Sequence, residues 1–562
     1  MVDIDKVLMS LGMGRYQFVG CILFGLMIMY SNVSPVTYVF TASDLKYRCK
    51  IPECDMDERT YEPEWLRFTM PYKNDTNQPR KCQRYAALSG PLVNGTRCSS
   101  DGFNVSAVEW CHDSGWVFED FEKTIGTEFG LMCEENKWKL SMVGTINNFG
   151  QFIGIPMSGI IADRYGRKFT MVFCAATSAA LAIIQSFSTS YLMFVILELL
   201  SSTVSSGIYT VTFILAMELF LPHQRVLYYS ILECFLPIGS ILVAYTASFV
   251  KDWRLLLQLA NIPGLLFLSY FWLTEESMRW LESQGKHDKV INTLKKIAAV
   301  NNKPFPNLNI NNQTQSMECL ENKDAKFSGI LKDIIRSPTI FWRMIRCSYV
   351  WRRGEAVAVG LVKIQLESRI EIAVTLVYYG LTISSTDIAG DKYLNFSLVL
   401  FVEIPACLLN WLIMEGMSRK MSLSCMFVLS GVTCVMYNLM SGELFLIKLS
   451  LFLVSKLAIS IAFCIIYMLT AEIFPTRMRA TMMSMCSMLG RIGSMLAPQA
   501  TLLTEYFGVF ATMLVFGLTA LAAAAITMTL PESKNIKLPN TINEAEEIGT
   551  DVKPKNDEIN SP

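Results

Sequence analysis

Histidine is nearly absent from this sequence, with three among 562 residues. No His-Glu-x-x-His run, Gly-x-Ser-x-Gly elbow or phosphate-binding glycine loop occurs, so the usual zinc ligands, activated nucleophiles and general bases of enzymes are lacking. Charge is scarce as well, at 17% of residues, and 49 basic residues cancel 49 acidic ones. That balance argues against a nucleic-acid partner. Paired Cys-x-x-Cys spacing is missing, which leaves Cys111 beside His112 as a poor start for a zinc site. We expect no metal, no cofactor and no enzyme.

What fills the space is apolar sequence, 52% of the chain. Runs of about 18 to 25 apolar residues are long enough to cross a bilayer as helices. They recur near 17–40, 139–161, 169–187, 191–217, 227–250 and 255–273. After a polar stretch they resume near 344–382, 393–414, 421–440, 443–470, 481–503 and 508–530. The first run has no small-residue cleavage pattern and is too long for a signal-peptide core, so it reads as a permanent span. The expected fold is an all-α membrane protein of twelve transmembrane helices in two six-helix bundles. Arg164, Arg167, Lys168, Arg225, Lys286, Lys289, Arg419, Lys420, Arg477 and Arg479 fall on one side, which places both termini in the cytosol by the positive-inside rule.

The expected organisation is a cytosolic N-terminus (1–16), a first bundle (17–273), a cytosolic linker (274–340), a second bundle (341–530) and a disordered tail (531–562). A polar insert at 41–138 separates the first two helices. It carries Cys49, Cys54, Cys82, Cys98, Cys111 and Cys133, six of the sixteen cysteines, and glycosylation sequons at Asn74, Asn94 and Asn104. An extracellular, disulfide-stapled loop follows, although six cysteines allow fifteen pairings and the sequence does not choose among them. The other cysteines read as small buried apolar residues.

Charged motifs recur in the two halves. Gly159, Asp163, Arg164, Gly166, Arg167 and Lys168 follow the second helix, and Glu415, Gly416, Arg419 and Lys420 stand at the same place in the second half. Glu218 with Arg225 is echoed by Glu472 with Arg477 and Arg479. Singly these are solvated charges worth under about 1 kcal/mol. Their repetition points to an internal duplication and to a latch at helix ends.

The chain resembles the major facilitator superfamily, and within it the organic cation, carnitine and organic anion transporters. The resemblance spans residues 10–535. It rests on Gly14-Arg15-Tyr16-Gln17, Cys111 with Gly115-Trp116-Val117-Phe118, Thr124 through Glu128 to Cys133, Asp252-Trp253-Arg254, Glu276-Ser277-Met278-Arg279-Trp280, Val402-Glu403-Ile404-Pro405-Ala406 and Ala471-Glu472. Methionine at 278 departs from the family's usual proline. The resemblance implies a plasma-membrane carrier for small organic ions, with the lipid bilayer as its setting. It works by alternating access, and a coupling sodium or proton and a homo-oligomer are compatible with it.

Charges within spans cost about 2.5 to 3.5 kcal/mol on insertion scales, which singles out Glu198, Glu403, Lys456 and Arg491. Glu403 matches a family position associated with cation binding. Arg491 and Lys456 match the carnitine-type pattern, which leans towards a zwitterion over a pure cation, with an organic anion as the alternative. Pairing among these charges in the empty state is the rival reading. Tyr209 and Phe213, one turn apart, match family positions facing the cavity and suit a cationic head, and Tyr378 and Tyr379 are weaker candidates. Helix packing explains such aromatics equally well. Glu198 reads as structural.

The seventh helix is interrupted. Between Trp351 and Ile372 lie Arg352, Arg353, Glu355, Lys363, Glu367, Arg369 and Glu371, and joining the flanks restores an apolar helix with the family spacing to Tyr378-Tyr379-Gly380. Residues 352–371 therefore read as an insertion. A transport-inactive receptor using the large loop is the alternative from another functional class.

Overall fold

The computed structural model describes residues 4–55, 60–72, 79–88, 98–111, 115–220, 225–305, 355–388, 391–440, 444–473, 479–530 and 532. Among them nine helices combine the length and apolarity of a membrane span. They are α1 Arg15–Thr41, α3 Arg167–Gln185, α4 Tyr191–Leu219, α5 Leu227–Phe249, α6 Trp253–Leu273, α8 Lys392–Met414, α9 Arg419–Leu439, α10 Phe445–Leu469 and α12 Phe507–Thr527. Three long helices are more polar: α2 Glu134–Tyr165, α7 Glu355–Ser384, and α11 at 479–506. Gly508, with φ 77°, separates α11 from α12. The helices thus sit where apolar sequence placed them, and the three polar ones pack mainly on protein. Thr145 of α2 donates to the Met495 carbonyl of α11 at 3.1 Å, and Gln499 of α11 donates to Thr145 at 2.8 Å.

α7 begins at Glu355 and runs unbroken to Ser384, so the charged stretch continues into the apolar one as a single helix. At its junction Ile370 and Glu371 are buried, and Arg369 is exposed. Close packing of α7 on α11 depends on Gly493, where a Cβ would collide with the Ile372 carbonyl. Gly154 serves α2 in the same way against the Thr203 carbonyl of α4.

α5 and α8 share a defect. α5 breaks at Cys234, three residues before Pro237, and α8 breaks at Val402, three residues before Pro405. Proline lacks the N–H that would continue the ladder and crowds the preceding turn. Each break stands beside a carboxylate, Glu233 in α5 and Glu403 in α8.

The insert between α1 and α2 holds two small antiparallel sheets. β1 Tyr47–Cys49 pairs with β4 Trp116–Phe118, and β2 Gln83–Ala87 pairs with β3 Phe103–Trp110. Disulfides join Cys49 to Cys111, Cys54 to Cys98 and Cys82 to Cys133. All six expected cysteines are used, in one of the fifteen arrangements. Arg48 and Asp55 form a buried pair at 2.7 Å inside this unit. Asn104 lies exposed on β3, where a glycan has room, and Asn74 and Asn94 fall outside the described residues.

The insert is fastened to the first bundle by two of the sequence motifs. Trp253 donates from Nε1 to Glu128 at 2.7 Å, and Arg254 Nη2 meets the same carboxylate at 2.7 Å. Arg254 also reaches the Ser186 and Ser188 carbonyls, both at 2.6 Å. Hydrogen bonds from Arg254 hold the Glu128 carboxyl below its ordinary range against the opposing pull of burial.

Candidate functional site

The intramembrane charges converge between the two bundles. Lys456 of α10 is fully buried, and its ammonium lies 2.8 Å from Glu403 of α8. The ammonium also donates to Thr382 Oγ1 at 2.7 Å and to the Tyr378 carbonyl at 3.3 Å, and it sits 3.2 Å from the Tyr378 ring centroid. Two expected site residues are therefore each other's partner. Coulomb attraction within such a pair offsets part of what its desolvation costs. Arg491 of α11 is set apart from it, donating from Nη1 to the Tyr379 hydroxyl at 3.2 Å. Tyr467 and Tyr209 lie close enough to Arg491 to interact electrostatically.

Facing these from the first bundle are Tyr209 and Phe213 of α4, their rings stacked 5.9 Å apart. Tyr229 of α5 meets Phe213 edge-on at 5.5 Å. One turn beyond Tyr229 stands Glu233, only 9% exposed, which accepts a hydrogen bond from the Tyr209 hydroxyl at 2.5 Å. Among the described residues it has no cationic partner in ion-pair range. Sequence reading passed over Glu233. It is a single acid in an apolar run, the same signal that singled out Glu403, with a proline four residues on.

At the α5 break the Cys234 thiol donates to the Ser230 carbonyl at 3.2 Å, and Cys407, one turn beyond Glu403 on α8, is buried. Glu371 lies buried under Gly490, the residue before Arg491. Glu198 takes no part: both its oxygens accept from amides, Asn147 at 2.6 Å and Gln185 at 2.6 Å.

Several of the residues expected to form a latch lie near one another. Glu276, after α6, accepts from the backbone N–H groups of Arg167 at 2.9 Å and Lys168 at 3.1 Å. It caps α3 at the positive end of the helix dipole. Gly166, with φ 104°, makes the turn that exposes those groups. Arg167 reaches Asp163 at 3.4 Å and Glu218 at 3.8 Å, and Trp280 Nε1 donates to the Asp163 carbonyl at 2.9 Å. Arg164 instead lies over the Tyr165 ring. In the second bundle Glu532 repeats the capping, accepting from Arg419 N at 2.9 Å and Lys420 N at 3.3 Å. These contacts tie each bundle to itself. The side chains of Arg225, Glu415, Glu472 and Arg479, and all of Arg477, fall outside the described residues.

The bundles also touch beside the disulfide-linked insert. Glu122 of the disulfide-linked insert meets Lys392 at 2.6 Å and the Tyr393 hydroxyl at 2.9 Å, both on α8. Phe40 of α1 stacks on Tyr393 and packs edge-on against Phe396.

Two pseudo-repeated helical bundles around a buried polar and aromatic centre define a transporter of the major facilitator type. The chain belongs to the family described as sugar (and other) transporter, which matches residues 117–544. It is similar to Solute carrier family 22 member 21 of Mus musculus, 28% identical, with 98% of this chain and 94% of that protein covered. Organic cation/carnitine transporter 2 of Homo sapiens is also 28% identical, over 97% of this chain and 94% of its own length. Among solved structures, the partially occluded inward open conformation of the xylose transporter XylE from E. coli matches with a TM-score of 0.57 and 15% identity. That match covers 93% of this chain and all of that one, and it shows the fold.

Proposed function

We propose that this protein carries small organic ions, organic cations or carnitine-like zwitterions, across the plasma membrane by alternating access. The observation that carries this reading is the composition of the buried centre. The first bundle supplies a carboxylate among aromatic rings, and the second supplies Arg491, with Tyr209 near both. A solute with an ammonium at one end and a carboxylate at the other would engage both bundles at once. Glu233, which has no cationic partner among the described residues, favours a solute carrying positive charge over an organic anion, and it gives a coupling sodium or proton something to neutralise when the site is empty.

Rocking of the bundles would expose this centre to each side in turn, as in other carriers built from repeats. The test is uptake of labelled carnitine, tetraethylammonium and an aromatic carboxylate, with and without sodium, in cells expressing the full chain. Uptake of either of the first two supports the proposal. Ligand binding at the surface without solute flux would favour a receptor.

A further inference from the structure

Of the two carboxylates at the centre, only Glu233 is available to a cation. Glu403 already has one, the Lys456 ammonium at 2.8 Å, itself held by Thr382, the Tyr378 carbonyl and the Tyr378 ring. To receive a substrate ammonium there, the protein would have to strip a fully buried lysine of its counter-charge, and breaking such a pair is strongly unfavourable. Glu233 is buried too, but its described polar contact is a neutral donor, the Tyr209 hydroxyl. The surrounding rings are Tyr209, Phe213 and Tyr229, two of them one turn apart on α4 and the third one turn before Glu233 on α5. Aromatic faces together with a carboxylate are the combination that recognises alkylated ammonium groups, through ring quadrupoles and direct charge. Arg491 is near enough to sense Tyr209, so a carboxylate tail can extend from this cage towards it.

We propose that Glu233, within the cage of Tyr209, Phe213 and Tyr229, is the receptor for the ammonium group of the solute, and that Glu403 with Lys456 is a fixed ion pair beside it. The proposal rests on the reading of the chain as an organic-ion carrier and names the residue that selects for positive charge. The binding energy then comes from the first bundle for the cationic head and from the second for the anionic tail.

Glu233→Gln, Tyr229→Leu and the double variant Glu403→Gln with Lys456→Met are compared in the full chain. The readouts are surface labelling, uptake kinetics and binding of tetraethylammonium and carnitine to purified protein. Glu233→Gln is expected to raise KM at least tenfold for both solutes at normal surface level. Tyr229→Leu is expected to raise it about three- to tenfold for tetraethylammonium, which keeps the test alive if the glutamine variant does not reach the surface. The double variant should change KM less than about threefold, because no buried charge is left unpaired. A Glu233→Gln protein with the parental KM, or a double variant that reaches the surface and loses tenfold in affinity, overturns the proposal. A parental chain that binds and carries neither solute overturns the carrier reading itself, and this proposal with it.

Discussion

At the scale of single residues, the centre separates charges that the sequence could only list together. Glu403, Lys456 and Arg491 were legible because ionisable groups in apolar runs are rare. Which pairs with which was not, since the contact joining Glu403 of α8 to Lys456 of α10 crosses between helices. Glu198, read as structural, has its oxygens satisfied by Asn147 and Gln185. Tyr209→Phe removes the described hydrogen-bond donor to a buried carboxylate, and should cost about 1 to 3 kcal/mol. Thermal unfolding of the purified protein would show it as a lowered Tm at neutral pH. A second prediction concerns Glu128, whose carboxyl is held low chiefly by hydrogen bonds from Arg254. The sign follows from linkage: the stability it adds is complete above the ordinary glutamate value, about 4.3, and is lost as pH falls through the lower folded value. Unfolding followed over about pH 3 to 7 should show that acid loss in the parent and a smaller one in Glu128→Gln.

At the scale of elements, the spans of the first half were readable to within a few residues, because apolar length alone decides them. Among the more polar helices α2 and α11 were placed as well, their polar side chains meeting partners such as Thr145 with Gln499, and only α7 was read as interrupted. Gly154→Val should drive α2 from α4 through the clash with the Thr203 carbonyl, and surface labelling should find little folded protein. The breaks at Cys234 and Val402 were not read from the sequence, and of the carboxylates beside them Glu403 was singled out while Glu233 emerged from the fold. α7 runs as one helix across 355–384, and its charged first part prompts a direct check. A chain lacking 352–371 should reach the surface and carry solute at least as fast as the full chain. Loss of both would show that buried Ile370 and Glu371 belong to the working helix.

At the scale of the whole molecule, the duplication is expressed in caps as well as in helices: Glu276 on α3 and Glu532 on α9 fasten each half to itself. Each bundle can then move as a unit, and contacts crossing between bundles become the moving parts. Thr145 of α2 with Met495 and Gln499 of α11 is one such contact. Another is Glu122 with Lys392 and Tyr393, carried by a disulfide-linked unit that belongs to one half and leans on the other. Opening on that side has to lift that unit off α8. An antibody fragment gripping the unit and the start of α8 together would thus arrest the carrier without ever entering the solute pathway.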